Sequence, residues 1–202
     1  MSAPLVLACG ALAAELRAVL AADGLAGAVD VRYLPANLHN HPERIVPELQ
    51  LLLAELDPDG TRTVLLAYAD CGTGGRLDAL VTEHPNVHRL PGAHCYEFFA
   101  GGTEFAALHH AEPGTFYLTD FLAKHFEALV WQGLGLDRHP GLRDTYFGNY
   151  TRVVLLAQAD DPSVTAHAQA AAARLGLRFE HRPVGLGPFA DAVLVTIRPP
   201  SS

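Results

Sequence analysis

Three cysteines stand at or just past the ends of apolar runs that read as β-strands. Cys9 closes Leu5-Val6-Leu7-Ala8 and precedes Gly10. Cys71 follows the run Thr63 to Asp70 and opens Gly72-Thr73-Gly74-Gly75. Cys95 comes shortly after Val87-His88-Arg89-Leu90, within Pro91-Gly92-Ala93-His94-Cys95-Tyr96-Glu97. In an open α/β sheet the carboxyl ends of parallel strands form the edge on which ligands bind. Three thiols at such an edge are the donor set of a soft-metal site. Zinc takes sulfur and nitrogen ligands in a tetrahedron, and a catalytic zinc keeps one position open. Three thiolates with water, or with His94, meet that requirement. Three can also hold an iron–sulfur cluster whose remaining iron stays open, although four cysteines are usual. No C-x-x-C pair is present, so topology rather than spacing carries this reading. Taken singly, each cysteine reads better as a small buried hydrophobe; it is the three together at strand ends that favour a site.

The neighbours of the cysteines supply the rest of the candidate site. Asp70-Cys71-Gly72-Thr73-Gly74-Gly75 lacks the lysine of a phosphate loop and does not match G-x-G-x-x-G. It reads as a tight strand-to-helix turn needing positive φ, whose amides and following helix would lower the pKa of Cys71. Gly72, Thr73 and Gly74, with Asn37 and His39 from the polar loop after the second strand, are the residues expected to contact a cofactor. Asp70, His94 and Glu97 are the acid/base candidates. On a helix starting at His94, His94 and Glu97 share one side while Cys95 and Tyr96 splay away. His94 therefore reads as a base or supporting residue rather than a ligand. Asp160, placed after Leu155-Leu156-Ala157 much as Asp70 is placed after Leu65-Leu66-Ala67, is the corresponding candidate of the second half.

Strand and helix patterns alternate along most of the chain, which places these groups in an α/β fold with a mostly parallel sheet flanked by helices. Strands are expected at 4–9, 29–34, 63–69, 87–90, 114–118, 152–157, 179–183 and 192–197, the last of them antiparallel. Helices are expected at 11–22, 42–56, 76–83, 94–100, 162–175 and from Asp120, as cap, through Trp131. The whole is expected as a single domain over 1–202, with two Rossmann-like lobes of about 1–100 and 101–202 as the finer division.

With 202 residues, half of them hydrophobic, the chain can bury a substantial core. A net charge of −8 without any basic run argues against a nucleic-acid partner. No apolar stretch reaches the roughly 18 to 20 residues of a membrane span. The N-terminus lacks the basic-then-apolar pattern of a secretory signal. An odd cysteine count without such a signal points to a reducing cytoplasm and free thiols.

Several strings are together distinctive: Ala8-Cys9-Gly10-Ala11-Leu12, Leu34-Pro35-Ala36-Asn37-Leu38-His39-Asn40, Asp70-Cys71-Gly72-Thr73-Gly74-Gly75, Gly92-Ala93-His94-Cys95-Tyr96-Glu97-Phe98-Phe99-Ala100-Gly101 and Tyr146-Phe147-Gly148-Asn149-Tyr150. They resemble a bacterial and archaeal family known as a domain of unknown function, over nearly the whole chain. The resemblance puts all three cysteines inside family motifs. It implies an association with corrinoid-dependent methyltransferase systems, and so a corrinoid protein or a methyltransferase as partner beside a small-molecule substrate.

The expectation from the sequence is a metal–thiolate protein of one-carbon or methyl-transfer metabolism. Cys9, Cys71 and Cys95 would hold zinc as first choice, or an iron–sulfur cluster as second, with the metal activating a thiol or a water. Two alternatives stay open. One is a metal-free enzyme in which Cys71 and Cys95 do acid/base or nucleophilic work with His94 as base; the other is a non-catalytic metal carrier.

Overall fold

Leu5–Cys9 and Val64–Ala67 are aliphatic throughout apart from the terminal thiol, and such runs suit strands covered on both faces. They form the middle of a four-stranded sheet in the computed structural model, which describes residues 2–198. The structure divides into two compact units. The first runs to Phe98 and resumes at Gly187; the second is Phe99–Leu186. The C-terminal segment thus belongs with the first unit, whereas the sequence reading gave all of 101–202 to one lobe.

In the first unit β1 (Leu5–Cys9), β2 (Asp30–Leu34), β3 (Val64–Ala67) and β4 (Val87–Arg89) take the order β2-β1-β3-β4, every pairing parallel. Helices α1 (Ala13–Ala22), α2 (Ile45–Leu56) and α3 (Arg76–Glu83) supply the crossovers, and α4 (Cys95–Ala100) follows β4. Leu5 and Leu7 of β1 and Val64 and Leu66 of β3 share one face and pack on Leu49 and Leu53 of α2 and Leu77 and Leu80 of α3. This is the period-two alternation of a sheet against the stripe of amphipathic helices.

The second unit holds α5 (Gly102–Ala111), β5 (Thr115–Thr119), α6 (Asp120–Lys124), α7 (Leu142–Phe147), β6 (Arg152–Ala157), α8 (Pro162–Leu175) and β7 (Arg178–Pro183). Its strands run β5-β6-β7, again all parallel. Helix α8 begins at Asp161, whose carboxylate accepts the Ser163 amide at 2.9 Å, and ends at Gly176 in the left-handed region. At the amino end of the sheet the buried Arg152 guanidinium meets Glu180 at 2.6 Å, Glu112 at 3.3 Å and the Thr115 hydroxyl at 2.8 Å.

Three expectations are corrected. The segment expected as a C-terminal antiparallel strand is helix α9 (Gly187–Ile197), and every strand pairing among the described residues is parallel. The β-branched run 193–197 suggests a strand, but Phe189, Val193 and Ile197 recur every fourth residue and are all buried, which is helical periodicity. The helix expected from Asp120 through Trp131 breaks into α6 and a π-helical stretch Glu127–Gln132. Its cap is Thr119, which accepts the Leu122 amide. The buried Asp120 carboxylate instead accepts the amides of Gln158 at 3.1 Å and Ala159 at 3.0 Å, tying β5 to the end of β6. Among the described residues no helix is long and apolar enough to cross a membrane.

Candidate thiol site

Strand β1 connects through α1 to β2 on one side of it, and the chain then crosses back to β3 on the other side. The order β2-β1-β3-β4 therefore reverses between β1 and β3, and in open α/β sheets the crevice at such a reversal is where ligands bind. Cys9 is the last residue of β1, and Cys71 lies four residues past the end of β3. Beyond the β3–β4 ladder the amides of Asp70 and Cys71 donate to the carbonyls of Gly92 at 3.1 Å and Ala93 at 2.9 Å. Cys95 follows two residues later as the first residue of α4. The three cysteines thus stand at the carboxyl ends of three neighbouring strands. The order β5-β6-β7 of the second sheet has no reversal.

All three thiols are free and partly buried. Burial is the main influence on each, and it raises each pKa. Cys9 is raised by burial against weaker opposing hydrogen bonds from the Ala11 amide and Tyr68. Cys71 is pushed up to about 12 by burial and then by the nearby Cys9 sulfur. Cys95 is raised well above its ordinary value by burial, then by Cys71 and Cys9. The three sulfurs are near enough to repel one another as thiolates, and at neutral pH all three are thiols. This reverses the expectation of an activated Cys71. The amides that would have favoured its thiolate are already engaged: that of Cys71 with Ala93, that of Thr73 with the Asp70 carbonyl, and those of Gly74 and Gly75 with the Asp70 carboxylate.

Asp70 organises this turn. Its carboxylate accepts the Thr73 hydroxyl at 2.7 Å and the amides of Gly75 at 2.8 Å and Gly74 at 3.1 Å. Burial pushes its pKa up, but these bonds and the Arg89 charge outweigh burial and hold the carboxyl below its ordinary value. The Asp70 carboxylate thus takes the place in the turn that a bound anion would need for the Gly74 and Gly75 amides. Cys71 sits in the turn at φ +51°, the one non-glycine residue with positive φ among the described residues. Left-handed backbone at a residue with a Cβ costs about 1 to 2 kcal/mol, and such strain clusters at functional sites.

The remaining candidates lie around this edge in different roles. Gly72 faces Pro42, so the loop after β2 reaches the Cys71 turn, and Gly74 is open to solvent. Thr73 is buried under the turn. Asn37, His39 and His94 are exposed. The imidazole of His39 is packed closely enough for burial to lower its pKa, and His94 lowers it further. The Glu97 carboxylate accepts the amides of Ala93 at 2.7 Å and His94 at 3.3 Å, reaching back as the third residue of α4 to cap its start. A β-carbon on Gly10 would come within 2.9 Å of the Leu34 carbonyl, so glycine lets the end of β1 approach the loop after β2.

Tyr68 is a neighbour that sequence reasoning passed over as one more residue of an apolar run. It is 2% exposed and its buried hydroxyl has no hydrogen-bond partner among the described residues, while burial and the nearby Cys9 and Cys71 thiols raise its pKa. Its place two residues after Leu66, on the same side of the alternation as the buried Val64 and Leu66, is the signal that could have found it.

Among the described residues no group of three or more His, Cys, Asp or Glu side chains is arranged to hold a metal ion. The donor types suit a thiophilic cation, which would have to draw the sulfurs inward and displace their protons.

A family model described as "Protein of unknown function (DUF1638)" matches residues 33–193. The match spans most of the chain, and the protein belongs to this family. It takes in Cys71 and Cys95, while Cys9 and the rest of β1 precede it. No curated protein and no solved structure matches the chain.

Proposed function

We propose that this member of the family binds a thiophilic metal ion, zinc in the first instance, through Cys9, Cys71 and Cys95. The observation that carries the reading is the placement of Cys9 and Cys71 on either side of the β1/β3 reversal, with Cys95 beside them at the end of β4. A divalent cation would offset the repulsion among sulfurs that raise one another's pKa, at the cost of displacing their protons. When bound there, the metal would act as a Lewis acid on a substrate thiol or a water. A methyl or other one-carbon acceptor is the substrate class to assay first, with a corrinoid protein as candidate partner.

The protein's own residues would shape the rest of the site. Asp70 and Glu97 would hold the two cysteine-bearing turns in place through the backbone amides that they accept. His39 and His94 stand at the rim, where an exposed imidazole can take a proton from an incoming group.

A second reading is favoured by the left-handed backbone of Cys71: a metal-free thiol pair doing acid/base work from a strained turn. One experiment separates the two. Reduced protein is equilibrated anaerobically with zinc against a chelating competitor, and metal is counted in wild type and in each Cys→Ser variant. One zinc per chain, lost in every variant with melting curves preserved, supports the metal reading. Full zinc retention in all three variants, or none in wild type, overturns it and leaves the metal-free pair.

A further inference from the structure

We propose that Arg89 is a positioning residue of the thiol site, its guanidinium setting the loop that carries Cys95 against the turn that carries Cys71. This role rests on the reading of this edge as a site, but not on which ion occupies it. Arg89 ends β4, and its guanidinium bonds in two directions at once. On one side Nε and Nη2 donate to the two carboxylate oxygens of Asp78 at 2.6 and 3.0 Å. On the other, Nη1 donates to the carbonyls of Leu90 at 2.8 Å and Gly92 at 3.2 Å. Asp78 stands in the first turn of α3, the helix that follows the Cys71 turn. The Gly92 carbonyl also accepts the Asp70 amide at 3.1 Å, and the Ala93 carbonyl accepts that of Cys71. One side chain thus ties the helix after Cys71 to the segment that leads into Cys95.

Residues 90–94 lie between β4 and α4 with no strand or helix of their own, so their path follows whatever bonds their polar groups. Glu97 holds the amides of Ala93 and His94, and Arg89 holds the carbonyls of Leu90 and Gly92. An exposed Arg–Asp pair contributes little by itself. Here the Arg89 side chain is only 18% exposed and the pair is bidentate. A planar fork of donors is what reaches a carboxylate and two carbonyls together. A lysine ammonium carries the same charge on one atom and cannot span them.

Arg89→Lys keeps the charge and removes the fork. Asp78→Asn weakens the anchor of the fork at an exposed position and leaves both turns untouched. In reduced, metal-free protein, hydrogen exchange of single backbone amides is read by nuclear magnetic resonance. The reference is the Val64 amide, which bonds the Asn86 carbonyl at 2.9 Å at the opposite end of the β3–β4 pairing. Relative to it, the Asp70 and Cys71 amides are expected to exchange about tenfold faster in Arg89→Lys, and faster also in Asp78→Asn. A general loss of stability would move all three amides together, so an unchanged ratio overturns the proposal. Should Arg89→Lys not fold, Asp78→Asn gives the same ratio. With cobalt(II) as probe, the folded variant is expected to bind the ion about tenfold more weakly and with an altered d–d spectrum. Wild-type affinity and spectrum together would equally overturn the proposal. An unchanged exchange ratio beside normal cobalt(II) binding leaves the metal reading standing. If the wild-type protein binds no cobalt(II), the metal reading falls and the exchange ratio alone decides the role of Arg89.

Discussion

The Cys71 amide donates to the Ala93 carbonyl at 2.9 Å, one step beyond the Asp70–Gly92 bond at 3.1 Å. These two bonds extend the β3–β4 ladder past its last paired residues and hold the Cys71 turn beside the segment leading to Cys95. Cys9 arrives differently, through the parallel register of β1 with β3. The three thiols come together through backbone pairing and not through a local motif, so positions 9, 71 and 95 show no metal-site spacing.

Cys71 occupies a conformation that only glycine adopts freely. Cys71→Gly is expected to leave stability within about 1 kcal/mol of wild type, since relief of left-handed strain offsets the lost burial. Metal binding should nonetheless be lost. Chemical denaturation and metal counting on the same sample check both halves, and a large loss of stability would mean that Cys71 is there for packing.

Asp70→Asn should destabilise the first unit by about 1 to 2 kcal/mol at neutral pH, because an amide oxygen cannot satisfy all three donors that the carboxylate holds. The folded pKa of Asp70 is depressed, so its contribution is full above its unfolded pKa and is lost as pH falls through the folded value. The stability gap between wild type and variant is expected to be constant above about pH 5 and to narrow below about pH 4. Urea titrations across that range measure it; a gap independent of pH would show that the carboxylate charge is not what holds the turn.

Much of this was legible in the sequence. The apolar runs of β1, β3 and β6, and the Asp161 and Gly176 signals at the two ends of α8, identify their elements directly. The acidic residues of the turns were legible as polar groups near thiols but not as capping groups. Whether Asp70 and Glu97 accept backbone amides depends on the folded path of 70–75 and 93–97. Strand order was the larger gap, because nothing in the sequence states that β3 lies on the far side of β1 from β2. That order is what sets Cys9 and Cys71 on either side of the crevice. Helix α9 was misread because a short β-branched run satisfies strand propensity, while its four-residue apolar repeat shows only when Phe189 is included.

Gly10→Ala places a β-carbon 2.9 Å from the Leu34 carbonyl, a backbone atom that cannot step aside alone. The substitution should cost about 1 to 3 kcal/mol by forcing the end of β1 away from the loop after β2. Metal affinity should fall with it, since Cys9 is the preceding residue. Thermal melting and zinc competition test the two effects, and unchanged values for both would mean that the end of β1 moves freely.

The most direct measurement is zinc K-edge X-ray absorption of anaerobically loaded protein, which counts sulfur neighbours. Three sulfur scatterers at about 2.3 Å are the predicted result. A first shell of nitrogen and oxygen alone at about 2.0 to 2.1 Å would contradict the three-thiolate site.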